Sequence, residues 1–155
     1  MLFRSRDEGD ALGLLMLEHV VDPACFTVEL TSPQLLASEV IALAEKTRPD
    51  VVCLGALPAS GLAADTRYLC KRLRARCPDL RIVVGRWGLR DSTGPVRRQL
   101  EAAGASYVGV TLVETREHLQ TVYGLEPPSP ARRARITPAS GPGAPAVERS
   151  APSPV

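Results

Sequence analysis

Aromatic residues make up only 4% of this 155-residue chain, and Trp87 is its single tryptophan. No stretch reaches the about 18 consecutive apolar residues that a membrane-spanning helix needs, so the chain by itself reads as soluble. The N-terminus lacks an apolar run followed by a small-residue cleavage site, which argues against secretion. The four cysteines include no Cys-x-x-Cys pair, which excludes a disulfide scaffold and points to a reducing compartment. Gly-x-Gly-x-x-Gly after a strand and a Gly-Lys-Ser/Thr loop are both missing, so neither dinucleotide nor P-loop binding is supported. Lysine is scarce too: Lys46 and Lys71 are the only two among 19 basic residues.

What is present is unevenly spread. Residues 1–66 hold four basic residues against ten acids. Residues 67–98 hold ten basic residues against Asp79 and Asp91 alone, a local charge of +8. Such a block suits a solvated helix face, an anionic lipid surface, an acidic protein surface or nucleic acid. Its arginines are not interleaved with aromatics and no recognition motif accompanies them, which argues against nucleic acid.

From Leu125 the composition changes. Eight of the 14 prolines fall in residues 125–155 among Ser, Ala and Gly, and isolated Leu125, Ile136 and Val147 offer little to bury. This segment reads as a Pro-rich disordered tail, 125–155, behind a folded domain, 1–124.

Within 1–124, helical and strand patterns alternate. Asp7 to Val21 reads as a helix with Leu12, Leu15, Met16 and His19 sharing one face. Cys25 to Leu30 follows as a strand, and Ser32 and Pro33 as the N-cap and first residue of a helix to Thr47, with Leu36, Val40 and Leu43 on one side. The near-continuous apolar run Val51 to Leu57 is expected of a strand buried on both faces. Pro58 to Gly61 is a loop. Asp65 to Cys77 is a helix with Leu69, Cys70, Leu73 and Cys77 inward and Arg67, Lys71 and Arg74 pointing away. Arg81 to Gly85 and Ser106 to Thr111 are strands. A helix opened by Gly94-Pro95 and stopped by Gly104 lies between them, and Leu112 to Tyr123 is the last helix.

Strands alternating with helices indicate a parallel sheet covered on both faces, here a flavodoxin-like three-layer α/β sandwich. In that fold the first strand lies inside the sheet. Only Met1 to Arg4 are available for it, so the first strand is expected to be truncated, as in a late start or a piece of a longer protein.

The stretch VVCLGALPASGLAADTRYLCKRLRARCPDLRIVVGRWGLRD, Val51 to Asp91, resembles the cytoplasmic domain that follows the membrane region in autoinducer-2 exporter family transporters. SRDEGDALGLLML (Ser5–Leu17) and GVTLVETREHL (Gly109–Leu119) are similar to its flanks. The resemblance implies a fold like that of cobalamin-binding domains, a transporter as partner and a cytoplasmic place, peripheral to the inner membrane. It implies no His-ligated cobalamin. Where that family has Asp-x-His-x-x-Gly this chain reads Arg6-Asp7-Glu8-Gly9-Asp10, and its Ser-x-Leu becomes Gly55-Ala56-Leu57. Its Gly-Gly becomes Gly85-Arg86, with Arg86 intruding where a nucleotide tail needs space. A corrinoid carrier without the His ligand stays open as the alternative.

Receiver domains place an acidic pair after the first strand, a phosphorylatable Asp at the end of the third and a Lys at the end of the fifth. Asp7 and Glu8 match the first position. Leu57 and Thr111 stand near the other two, so phosphoryl acceptance is not expected. Acids in a first helical turn also stabilise the helix dipole. Cys53, Cys70 and Cys77 read as packing residues, and His19 and His118 have no acids or thiols at metal spacing. No catalytic or metal-ligating set emerges. Trp87, beside Arg86 at the carboxyl end of a strand, is placed either to stack on a planar or anionic group or to cap the core. The reading is a non-catalytic sensory or regulatory module. It binds a small anionic or nucleotide-like ligand or a partner protein through Arg6, Asp7, Glu8, Ser60, Gly61, Gly85, Arg86, Trp87 and Gly88. Arg67, Lys71 and Arg74 form a basic face toward a membrane surface or an acidic partner.

Overall fold

The structure, a computed structural model, describes residues 1–124 apart from Arg6, 58–62 and 89–92, with only the backbone of Ala63 and Thr93. The chain divides into Met1–Leu125 and Glu126–Val155. The second unit, with the expected tail, lies outside the described residues, as does the expected loop Pro58 to Gly61.

In chain order the elements are β1 (Leu2–Arg4), α1 (Glu8–Val20), β2 (Glu29–Thr31), α2 (Ala37–Thr47), β3 (Val51–Gly55), α3 (Ala63–Arg76), β4 (Arg81–Gly85), α4 (Thr93–Ala102), β5 (Tyr107–Gly109) and α5 (Leu112–Val122). The strands form one sheet in the order β2-β1-β3-β4-β5, every pair parallel. This is the flavodoxin-like α/β fold. Three residues suffice for the inner strand β1, where Phe3 pairs with Leu30 on one side and Cys53 on the other.

Period-two alternation along the strands splits the core in two. Leu2, Val52, Leu54, Ile82 and Val84 face α2, α3 and α4, where they meet Val40, Leu73 and Leu100. Phe3, Val51, Cys53 and Val83 face α1 and α5, where they meet Leu14, Leu17 and Leu119. Each of these fully buried aliphatic side chains stabilises the fold by about 1.5–3 kcal/mol. Among the described residues, no helix is long and apolar enough to cross a membrane.

Several elements depart from expectation. The face of α1 shared by Leu12, Leu15 and Met16 is turned outward, and Asp10, Gly13, Leu14 and Leu17 are buried instead. β2 is shorter and later than Cys25 to Leu30, because β1 supplies only Leu2 to Arg4 as partners. The Cys25 and Phe26 amides donate instead to Asp22 O in a turn, which brings the Phe26 ring edge-on to Tyr123 at 5.6 Å.

Ser32 does not cap α2. Its Oγ accepts from Gln34 N at 3.3 Å within a turn, and the helix begins after Leu36, whose amide donates to Glu39 Oε2 at 2.7 Å. Leu36 is accordingly exposed, and Val40, Ile41 and Ala44 form the buried side of α2.

Candidate functional site

At the carboxyl ends of the strands, where open α/β sheets hold their ligands, several of the described side chains bond to the protein itself. Asp7 is the N-cap of α1, its Oδ1 accepting from Asp10 N at 2.7 Å. Glu8 sits exposed in the first turn. One turn further on, Asp10 is fully buried and accepts from Leu57 N through Oδ1 at 2.7 Å, which ties α1 to the segment leaving β3. That role was missed as a site feature from sequence, although an acid three residues after an acidic N-cap, on the buried side of the helix, is its signal.

Arg86, leaving β4, donates its backbone N–H to Gly109 O at 2.8 Å. Burial draws its guanidinium pKa downward, and the nearby Asp10 carboxylate pulls it back up. Its Nε is buried without a hydrogen-bond partner.

Trp87 is 7% exposed. Its indole N–H donates to Thr115 Oγ1 at 3.0 Å, and that hydroxyl donates onward to Thr111 O at 2.8 Å. The ring fills space vacated by two glycines. A Cβ on Gly13 would lie 2.8 Å from Trp87 Cε3, and one on Gly85 would lie 2.2 Å from Cζ2. Gly88 then turns the chain with φ at 91°, a conformation that glycine adopts without strain.

Of the two roles open to Trp87, this geometry is that of a core cap. Gly85 and Gly88 serve its seat and its turn. Arg6, Ser60 and Gly61 lie outside the described residues. Asp7, Glu8, Gly85, Arg86, Trp87 and Gly88 do gather at this one edge.

No carboxylate stands at the end of β3, where Leu54 and Gly55 are followed by Ala56 and Leu57. Beyond β5 come Val110 and Thr111, the latter capping α5 by accepting from Glu114 N at 3.1 Å. Burial pushes the Cys53 and Cys70 thiols up to about 12, far from the range of a nucleophile. His19 Nδ1 lies 2.8 Å from Leu15 O, whereas His118 stacks on Tyr107 at 3.7 Å. Among the described residues, no group of three His, Cys, Asp or Glu is placed to hold a metal ion.

The expected basic face separates into two parts. Arg67 Nη1 donates to Gln99 Oε1 at 3.2 Å, toward α4. Arg74 donates through Nη2 to Gly104 O at 2.9 Å and Ser106 Oγ at 3.0 Å, and through Nη1 to Pro78 O. Of the three, Lys71 alone is exposed, as are Arg72 and Arg76, whereas Arg67 and Arg74 are half-buried. Spacings of four and three residues on a helix do not keep Arg67, Lys71 and Arg74 on one face when long side chains reach sideways for carbonyls. A groove of about 990 Å³ lies at the opposite, amino-terminal edge between Arg48, Arg81 and Tyr123. There the Arg76–Glu45 pair, at 2.7 Å, neutralises part of its charge.

No protein-family model matches the chain, and no curated protein matches it. Solved structures do. A CheY-like protein, TadZ, of Pseudomonas aeruginosa aligns with a TM-score of 0.56 at 18% identity, covering 84% of this chain and 98% of that one. The fold is that of CheY-like domains. A protein of Burkholderia pseudomallei described as a candidate pilus assembly-related protein aligns with a TM-score of 0.59 at 16% identity, over 79% of this chain and 87% of that one. A candidate response regulator of Chloroflexus aurantiacus gives 0.55 at 16% identity, over 79% and 95%.

These neighbours overturn the resemblance to the cobalamin-binding-like domain of autoinducer-2 exporter transporters, and nothing in them supports the corrinoid alternative. The string TRYLCKRL that carried the resemblance is the amphipathic helix α3, whose Leu69, Cys70 and Leu73 pack on the sheet as any doubly wound fold requires. The Gly85 position, where a corrinoid tail would need space, lies under the Trp87 ring.

Proposed function

We propose that residues 1–124 form a non-catalytic regulatory module of receiver architecture, acting in the cytoplasm by binding a partner protein rather than by accepting a phosphoryl group. The observation that carries this reading is the make-up of the carboxyl edge among the described residues. Asp10 Oδ1 accepts from Leu57 N and Trp87 donates to Thr115, while the ends of β3 and β5 offer neither an acceptor carboxylate nor a lysine. A receiver fold without its reactive residues retains its surfaces, and surfaces recognise proteins.

The test is incubation with acetyl phosphate and Mg²⁺ followed by intact-mass measurement. No phosphoryl adduct is expected, and a stoichiometric adduct lost on mutating one carboxylate would overturn the reading.

One observation favours a second reading, a small anion held at this edge: the buried, unpartnered Nε of Arg86. Thermal-shift titration with inorganic phosphate, sulfate and ATP separates the two. A saturable rise in melting temperature that Arg86→Met abolishes would establish the anion site.

A further inference from the structure

Helix α1 has two apolar faces. Leu14 and Leu17 are buried, whereas Leu12, Leu15, Met16 and Val20 are 60%, 39%, 50% and 40% exposed. Their spacing, with exposed His19 among them, makes a largely apolar stripe along the outer side of the helix, and an exposed apolar stripe marks an interaction surface. The helix carries no lysine or arginine, and Glu8 and Glu18 flank the stripe. A matching partner is apolar at its centre and basic at its rim. Pairing α1 with α1 of a second copy would instead bring Glu8 and Glu18 together with no lysine or arginine on either helix.

Such a surface exists on the other side of the same molecule. The outer face of α3 presents Tyr68, Lys71, Arg72 and Arg76, with the Arg72 guanidinium 6.0 Å above the Tyr68 ring. Beside Tyr68, a pocket of about 210 Å³ opens between α2 and α3, lined by Leu35, Leu36 and Leu69 together with the polar Arg4, Asp65 and Thr66, large enough for an aliphatic side chain. Helices α1 and α3 cover opposite faces of the sheet, so one copy can engage through both at once.

We propose that the chain associates with itself head to tail. The α1 stripe of one copy seats on the α3 face of the next, with Leu12 or Met16 in the Leu36–Tyr68 pocket and Glu8 and Glu18 against Lys71 and Arg72. This names a partner for the protein-contact reading and rests on it. A heterologous contact of this kind propagates instead of closing at two copies.

Sedimentation equilibrium on the full chain tests it. The average mass is expected to rise with protein concentration beyond that of a dimer, and to fall as salt is raised. Met16→Glu and the double variant Lys71→Glu/Arg72→Glu each weaken association about tenfold or more. Mixing these two variants restores a complex of one copy of each, because each keeps the face that the other has lost. Circular dichroism and melting temperature, expected unchanged at these exposed positions, show that the variants fold. A wild type that stays monomeric at every concentration overturns the proposal. So does association lost in Met16→Glu but untouched in Lys71→Glu/Arg72→Glu. Neither result bears on phosphoryl acceptance, so the two readings fail separately.

Discussion

The indole N–H of Trp87 donates to Thr115 Oγ1 at 3.0 Å, joining the segment after β4 to helix α5 across the carboxyl edge of the sheet. The ring lies directly over Gly13 and Gly85, so three elements share one contact.

Trp87→Ala removes a large buried side chain and the indole N–H that Thr115 Oγ1 accepts, leaving that hydroxyl its bond to Thr111 O. We expect a loss of about 3–5 kcal/mol in urea denaturation. Gly85→Ala, whose Cβ would meet the ring at 2.2 Å, forces the indole out of place at about 1–3 kcal/mol. Because Trp87 is the single tryptophan, the shift of its emission maximum reports the displacement directly.

Ser5 is fully buried and its Oγ has no hydrogen-bond partner. An unsatisfied buried hydroxyl costs about 1–3 kcal/mol of desolvation. Ser5→Ala is therefore expected to leave thermal stability unchanged or raise it, and a drop of several degrees in melting temperature would contradict this account.

Arg74 and Lys71 separate by function although they stand on one helix. Arg74→Met removes the hydrogen bonds that tie α3 to Gly104 O and Ser106 Oγ and is expected to cost about 1–2 kcal/mol. Lys71→Met, on the solvent side, should stay within about 0.5 kcal/mol. Chemical denaturation of the two variants side by side makes the comparison.

The thiols give the pH dependence its sign. Cys53 and Cys70 have folded pKa values near 12 against an ordinary 9.0, so the folded state holds these protons more tightly than the unfolded chain. Their contribution to stability is fully present below about pH 9. It is lost as pH rises from there toward 12. At pH 8 in native buffer, a thiol reagent is expected to label exposed Cys25 first, leaving Cys53 and Cys70 untouched until urea is added.

The alternation of apolar strands with helices determined the doubly wound class, since a strand buried on both faces, such as Val51 to Gly55, must be apolar throughout. The absence of an acceptor carboxylate after that strand was equally legible, because residue identity at a strand end needs no coordinates. Tertiary structure decided the rest. Which of the two apolar faces of α1 turns inward depends on what lies beneath it: Gly13 sits against the Trp87 ring, and Leu17 joins the core cluster that holds Phe3. The length of β2 was set by its partner β1, a relation between segments more than twenty residues apart. The seat of Trp87 required Gly13, Gly85 and Thr115 to converge from three separate elements. The separation of Arg74 from Lys71 came from a carbonyl thirty residues away. Local pattern specifies which segments are apolar and how they repeat; which apolar surface is covered, and by what, follows only from the contacts between them.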